Sequence, residues 1–480
     1  MEFSSLYFLY LFLPLTLLVY FLVPGLRLKN IVLLAASLLF YAMGQPVYVL
    51  LLVGLSYANF AMARRIRPGK RNTLFLPVVV NLAVLGLFKY LDFFLGIFGI
   101  TVADGGVMLA ALRGITNGLN SIGFAFRSPT SALPLGLSFY AFQVISYVAD
   151  VYRGKVKAER SFFNLLLYLS MFPKMMQGPI VRYEQVARQL MDRRTTPRAA
   201  FEGAQRFIIG LAKKVLLADY AGKVVASLST GGGNGTFVGA WLAALMFMFQ
   251  IYFDFSGYSD MAIGLGRLFG FRFLENFNYP YESRTVTEFW RRWHISLSTW
   301  FREYVYIPLG GNRKGLGRQL LNIAIVWFLT GLWHGASWNF VLWGVYYAAL
   351  LLLEKTFLLQ WLDRVPAVVG HIYTCLCFIL GWVLFAITDF GKLGAYLGHM
   401  FSGAFFDSGA AYLLRSFWLV LVLAVIGCTS LPRQLWGRWE AGMKPAVSDG
   451  LRTVWMVLVL LVSVAFLVGD SYNPFLYFRF

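Results

Sequence analysis

The chain has 480 residues, of which 59% are hydrophobic, 18% aromatic and only 13% charged, whereas a soluble domain carries roughly 45–50% apolar and about 25% charged residues. Runs such as Tyr7–Val23 and Met456–Val468 approach the roughly 20 residues that cross a hydrocarbon core of about 30 Å, which excludes a soluble fold and makes the lipid bilayer the first partner. The formal charge of +20 sits in short loops between apolar runs rather than along one polar face, so it reads as membrane orientation and excludes nucleic acid.

The first apolar run has no basic segment before it and leads into Pro24-Gly25-Leu26-Arg27 without a small-residue cleavage pattern, so it is expected to be a retained span. The positive-inside rule places Arg27/Lys29, Arg64 to Arg71, Arg153 to Arg160 and Arg182 to Arg198 on the cytoplasmic face. Asn30–Asn59 then becomes a hairpin of two short spans turning near Gly44-Gln45-Pro46, and the run from Leu74 goes outward. Leu133–Asp150 returns it, leaving Thr101–Thr130 outside. Pro173 and Gly178-Pro179 interrupt Ser161–Pro179, which predicts a broken or re-entrant segment shielded by protein.

Phe207–Val225 carries Lys213 and Lys214 and is expected to be amphipathic or protein-packed, with a flexible loop at Gly231–Gly235 and a span at Phe237–Phe253 after it. Between Asp254 and Gln319 polar, aromatic and basic residues mix, so this stretch is not expected to cross lipid simply. Further spans follow at Leu320–Leu332, Phe340–Leu353, Ile372–Ile387, Tyr412–Ile426 and Thr453–Val468. The expected fold is an all-α polytopic membrane protein of about eleven crossings, built as one membrane domain over residues 1–480.

Chemistry is sparse. Cys375, Cys377 and Cys428 all lie in apolar stretches and suggest neither a disulfide framework nor a metal site. Of the four histidines, His371 and His399 lie at or near ends of apolar runs and read as interfacial. His334, in Thr330-Gly331-Leu332-Trp333-His334-Gly335-Ala336-Ser337-Trp338-Asn339, costs free energy to keep beside a span unless it is hydrogen-bonded, so a role is the first hypothesis and a satisfied core histidine the second. Gly335 removes a side chain beside the imidazole, room for a substrate to approach. His294 lies among Arg284, Arg291, Arg292, Arg302, Arg313, Lys314 and Arg318, close to Gly310-Gly311. Cations with glycine-rich amides suit phosphate, and orientation by the positive-inside rule is the alternative. No nucleophile elbow, phosphate-binding loop or His-x-x-x-His pair occurs.

Seven motifs in order carry a resemblance to a known family. They are Met1-Glu2-Phe3-Ser4-Ser5 with Phe12-Leu13-Pro14; Pro134-Leu135-Gly136-Leu137-Ser138-Phe139 with Gln143-Val144-Ile145-Ser146-Tyr147; Phe172-Pro173 with Gly178-Pro179-Ile180-Val181-Arg182-Tyr183; and Tyr252-Phe253-Asp254-Phe255-Ser256-Gly257-Tyr258-Ser259-Asp260. Glu275-Asn276-Phe277-Asn278-Tyr279-Pro280-Tyr281, the segment from Phe289 through His294 to Arg313, and the His334 segment complete the set. Together they resemble the membrane-bound O-acyltransferase superfamily, in its bacterial branch of alginate O-acetylases, peptidoglycan O-acetyltransferases and teichoic-acid D-alanyl transferases. The resemblance covers roughly residues 1–350.

It implies a ring of tilted helices around a central tunnel, with His334 matching the family's invariant histidine and Trp290 to His294 its second histidine-bearing segment. The implied reaction takes an acyl group, by preference acetyl, from a cytosolic acyl-CoA or acyl-carrier-protein thioester, with no permanently bound cofactor and no metal. The group then passes outward towards hydroxyls of an extracytoplasmic polysaccharide or to an intermediate carrier, with an extracytoplasmic acetyl-relay or transferase protein as partner. His334 and His294 are the expected catalytic residues. Trp333, Trp338, Asn339, Tyr252, Asp254 and Asp260 are candidates to line the tunnel, and Arg291, Arg292 and Arg313 to hold donor phosphates. The expected location is the inner, cytoplasmic membrane of a bacterial cell. D-alanyl transfer to teichoic acid, a transporter or flippase, and a scaffold of a polysaccharide-export complex are the rival readings.

Overall fold

The structure, a computed structural model, describes residues 2–100, 106–123, 126, 128, 129, 131–230, 235–469 and 475. The described residues form helices and connecting turns and no strand, as expected where lipid offers no partner for an exposed backbone group. Among the described residues eight helices are long and apolar enough to cross a membrane: Leu26–Gly44, Arg71–Ile97, Phe237–Leu268, Leu316–His334, Trp338–Leu362, Ala367–Ala386, Ser408–Gly427 and Pro445–Gly469. Phe8–Leu22 and Tyr48–Ala63 are shorter apolar helices. The chain is a multi-pass membrane protein. Within the expected span Leu133–Asp150 the helix is Leu137–Tyr152, buried along Leu137–Val151 rather than lipid-facing.

Two compact units divide the chain. In the unit formed by Met1–Ala204 and Ala262–Leu274, the hairpin turns at Gln45–Val47 between Leu26–Gly44 and Tyr48–Ala63, at the predicted place. Asn59 and Asn81, both fully buried, exchange side-chain hydrogen bonds of 3.1 and 2.7 Å between Tyr48–Ala63 and Arg71–Ile97; an amide pair joins helices where apolar contact gains nothing over lipid. The segment predicted to be broken is so: Phe162–Ser170 ends at Met171, and Phe172–Met175 restarts after it. Ser37 Oγ accepts the Phe172 N–H at 3.1 Å, and the buried Lys174 reaches Gln143 Oε1 at 2.5 Å.

In the unit formed by Gln205–Met261 and Glu275–Phe480, Phe237–Leu268 runs well past the expected end at Phe253. Its polar residues do not end it because they face protein. Asp254 pairs with Lys214 at 2.8 Å, and Asp260 with Lys213 and Arg206, each at 2.7 Å. Lys214 also pairs with Asp219 at 2.8 Å and is buried, so the lysine-bearing stretch is protein-packed as expected. A Cβ on Gly210 would stand 2.5 Å from the Gly257 carbonyl oxygen, so two glycines let this stretch cross Phe237–Leu268 backbone to backbone. Of the expected loop Gly231–Gly235, residues 231–234 lie outside the described residues.

Candidate functional site

Leu316–His334 and Trp338–Leu353 form an antiparallel pair joined by Gly335–Ser337. Small residues set their separation: a Cβ on Gly331 would lie 2.4 Å from the Phe340 carbonyl oxygen, and one on Gly344 would lie 2.6 Å from that of Trp327. This close approach puts His334, 8% exposed, at the end of the first helix against Trp343 and Phe385, with ring centroids 4.9 and 5.3 Å away. The room expected beside Gly335 is not open to a substrate, because the Phe340 ring fills it: a Cβ there would meet that ring at 2.2 Å.

His294 reaches the same place by a different route. Two short helices, Val286–Arg292 and Ile295–Phe301, meet at His294, whose backbone is left-handed with φ 43° and ψ 53°. Tyr279, φ 45°, is the other non-glycine residue with positive φ among the described residues. Such a conformation costs of order 1–3 kcal/mol and persists where the surroundings over-determine it. Here Asn276 and Asn278 run alongside: Asn276 O accepts the Ile295 N–H, and Arg292 O accepts the Asn278 N–H, both at 2.9 Å. Asn276 Oδ1 lies 3.1 Å from His294 Nδ1 and also accepts from Ser296 N at 3.2 Å and Ser296 Oγ at 2.8 Å, while Asn276 Nδ2 donates to Ser259 Oγ at 3.1 Å.

In the sequence the expected span Leu320–Leu332 separates His294 from His334. The fold instead brings both to one cavity of about 240 Å³, whose lining includes Trp290, Arg291, Arg302, Tyr306 and Thr330. The Trp333 ring stands 6.1 Å from that of His294 and 5.0 Å from that of His334. The walls are mostly apolar, and the exposed Arg291 and Arg302 lie on them. Burial pulls the His294 imidazole down to about 3, leaving it neutral at ordinary pH. Trp290 Nε1 is buried and has no hydrogen-bond partner among the described residues.

The other candidates separate. Tyr252 is buried with its ring 6.2 Å from that of Trp293 and does not line the cavity. Asn339, fully buried, donates to the carbonyls of Leu384 and Phe385 at 3.4 and 3.1 Å. Trp338 is 54% exposed, outside the cavity. Asp254 and Asp260 belong to the ion pairs of Phe237–Leu268. Arg292 is held by Glu288 at 2.7 Å and Glu282 at 3.8 Å, and Arg313 is exposed; neither lines the cavity. Sequence reasoning did not single out Asn276 and Tyr306; for Asn276 the only signal was its place in a shared motif. Among the described residues no group of three or more His, Cys, Asp or Glu is gathered as for a metal ion.

The sequence model of the membrane-bound O-acyltransferase family matches residues 155–390, the part that holds both histidines. A protein of Pseudomonas putida named "Probable alginate O-acetylase AlgI" is 38% identical over 506 residues, covering all of both chains. The peptidoglycan O-acetyltransferase of Helicobacter pylori is 29% identical, covering all of this chain and 97% of its own. The teichoic acid D-alanyltransferase of Bacillus subtilis is 26% identical over 45% of this chain and 58% of its own.

Proposed function

The chain belongs to the membrane-bound O-acyltransferase family and is an O-acyltransferase, and we propose that it moves an acetyl group from a cytosolic thioester towards hydroxyls of an extracytoplasmic polysaccharide such as alginate. The observation that carries this reading is the shared cavity: two histidines from distant segments line one small, largely apolar space whose lining includes two exposed arginines. Acetyl is favoured over D-alanyl because the acetylase relative matches along the whole chain and the D-alanyltransferase along less than half of it. The family, and the basic loops that the positive-inside rule turns inward, support a bacterial cytoplasmic membrane as the setting.

In this reading a coenzyme A or acyl-carrier thioester is the donor, with its phosphate held by Arg291 and Arg302 and its acyl end in the cavity. His334 takes the proton of the acceptor hydroxyl as that oxygen attacks the thioester carbonyl. The carbon–sulfur bond breaks, the thiolate leaves, and the imidazolium returns the proton to it. General-base help of this kind contributes about 10²–10⁴-fold. The Trp290 N–H supplies a donor for the oxyanion that forms on the carbonyl oxygen. Apolar walls keep water from hydrolysing the thioester. The acceptor hydroxyl in this step belongs to a relay protein or to the polysaccharide itself on the outer side.

Purified full-length protein incubated with labelled acetyl thioester and a hydroxyl acceptor tests the chemistry. Transfer is expected from the wild type and lost in His334→Ala with the detergent elution profile unchanged. Arg291→Ala is expected to raise the donor concentration needed for half-maximal rate. Full turnover by His334→Ala contradicts the reading.

A further inference from the structure

We infer that Asn276 is a positioning residue that fixes His294 as the tautomer protonated on Nδ1, so that His294 faces the cavity as a hydrogen-bond or proton acceptor through Nε2. The inference rests on the reading that His294 takes part in acyl transfer, and it follows from one geometric fact about an oxygen.

An amide side chain can be turned either way round, and an imidazole proton can sit on either nitrogen, so neither is settled by position alone. The Ser296 backbone N–H settles both. It can only donate, and it points at the Asn276 atom that also lies 3.1 Å from His294 Nδ1. That atom is therefore the oxygen. The opposite end, Nδ2, then donates to Ser259 Oγ at 3.1 Å, which is consistent with the same orientation. An oxygen facing Nδ1 needs a proton there, so the neutral ring carries its proton on Nδ1 and its lone pair on Nε2. The left-handed backbone at 294 serves the same end, because the Asn276 carbonyl clamps Ile295 while its side chain clamps Ser296 and the ring. Asn276 is itself fully buried, so water does not compete for these bonds.

Ser296 Oγ also stands 3.5 Å from Nδ1, and because its own proton goes to Asn276 Oδ1 at 2.8 Å it too faces Nδ1 as an acceptor. The Phe255 ring meets the imidazole edge to face at 4.8 Å. The charged and titratable groups lining the same cavity are Arg291, Arg302, Tyr306 and His334. Asp254 and Asp260, on the helix that carries Phe255, are paired with Lys214, Lys213 and Arg206. The amide at Nδ1 is uncharged where a carboxylate would favour a second proton, so the ring's lone pair stays available to lower pH.

Asn276→Ala and Asn276→Asp, assayed for acetyl transfer across pH beside His294→Ala, test the inference. Asn276→Ala is expected to lower kcat by about 10²-fold, the lower end of what a positioned imidazole contributes, with the donor KM little changed. Asn276→Asp keeps an oxygen facing Nδ1 and Ser296 and is expected to retain most of the rate at high pH. Its carboxylate favours the imidazolium, so its rate falls as pH is lowered through a range where the wild type holds. A merely structural asparagine predicts that both variants fail alike at every pH, and that result overturns the inference. Wild-type kcat in Asn276→Ala overturns it too, provided that His294→Ala is impaired. Full activity in His294→Ala instead overturns the underlying role of His294.

Discussion

Glu354 accepts hydrogen bonds from the backbone N–H groups of Val286 and Thr287, at 2.6 and 2.7 Å, and from the Thr287 hydroxyl at 2.6 Å. A carboxylate 1% exposed, following the apolar helix Trp338–Leu353, thus ties down the first turn of the short helix that leads to His294. Removing it orphans buried donors, each worth about 1–3 kcal/mol. Glu354→Ala is expected to lower the melting temperature in detergent and to reduce transfer. Glu354→Gln, which turns N–H groups towards donors, should recover little of either. A melting temperature and rate unchanged in Glu354→Ala would disprove this role.

Gly331 and Gly344 touch, each Cβ position standing 3.1 Å from the other's Cα. Gly344→Ala forces a methyl against the Trp327 carbonyl and parts the helices that seat His334. The expected outcome is a lower melting temperature and a loss of kcat, whereas Gly317→Ala, where the added carbon meets nothing within 4 Å, should be silent. Comparing the two variants by thermal melting and transfer rate checks it.

Trp290→Phe keeps an aromatic ring against Trp327 and Tyr347, whose centroids are 4.6 and 4.8 Å away, and removes only the indole N–H. Loss of one oxyanion donor costs about 10²–10³ in kcat. A fall of that order in kcat, with donor KM retained, is expected from steady-state assays. A rate within twofold of wild type, about 0.4 kcal/mol, would remove the N–H from the mechanism.

Stability should depend on pH through His294. Burial holds its folded imidazole at about 3 against an ordinary 6.5. Below 6.5 the unfolded chain takes up a proton that the folded chain refuses, so this contribution is whole above pH 6.5 and lost as pH falls towards 3. Melting temperature in detergent should drop over that window, by at most about 1.4 kcal/mol of stability per pH unit, and the drop should be shallower in His294→Gln.

Much of the membrane scaffold was legible because apolar runs and turn residues are local signals: the Gln45–Val47 turn and the break at Met171 fall where Pro46, Pro173 and Gly178 pointed. The end of Phe237–Leu268 was not, since Asp254 and Asp260 read as lipid-incompatible until Lys214, Lys213 and Arg206 are seen beside them. At the site, His334 could be picked out as a polar group in apolar company and His294 as an imidazole among clustered cations. Their sharing of a cavity could not, because it depends on a left-handed turn at His294 that no periodicity encodes. Arg292 shows the limit of counting charges: its partners Glu288 and Glu282 stand nearby in sequence, yet only the fold pairs them.

Passage of the acyl group from one side of the membrane to the other is directly measurable. Sealed proteoliposomes holding the full chain, with a polysaccharide acceptor trapped inside and a membrane-impermeant labelled acetyl thioester outside, test transfer and direction together. Label is expected to accumulate on the trapped acceptor with wild-type protein and not with His334→Ala. Acceptor labelled only when it shares the donor's compartment would contradict passage of the acyl group through the membrane.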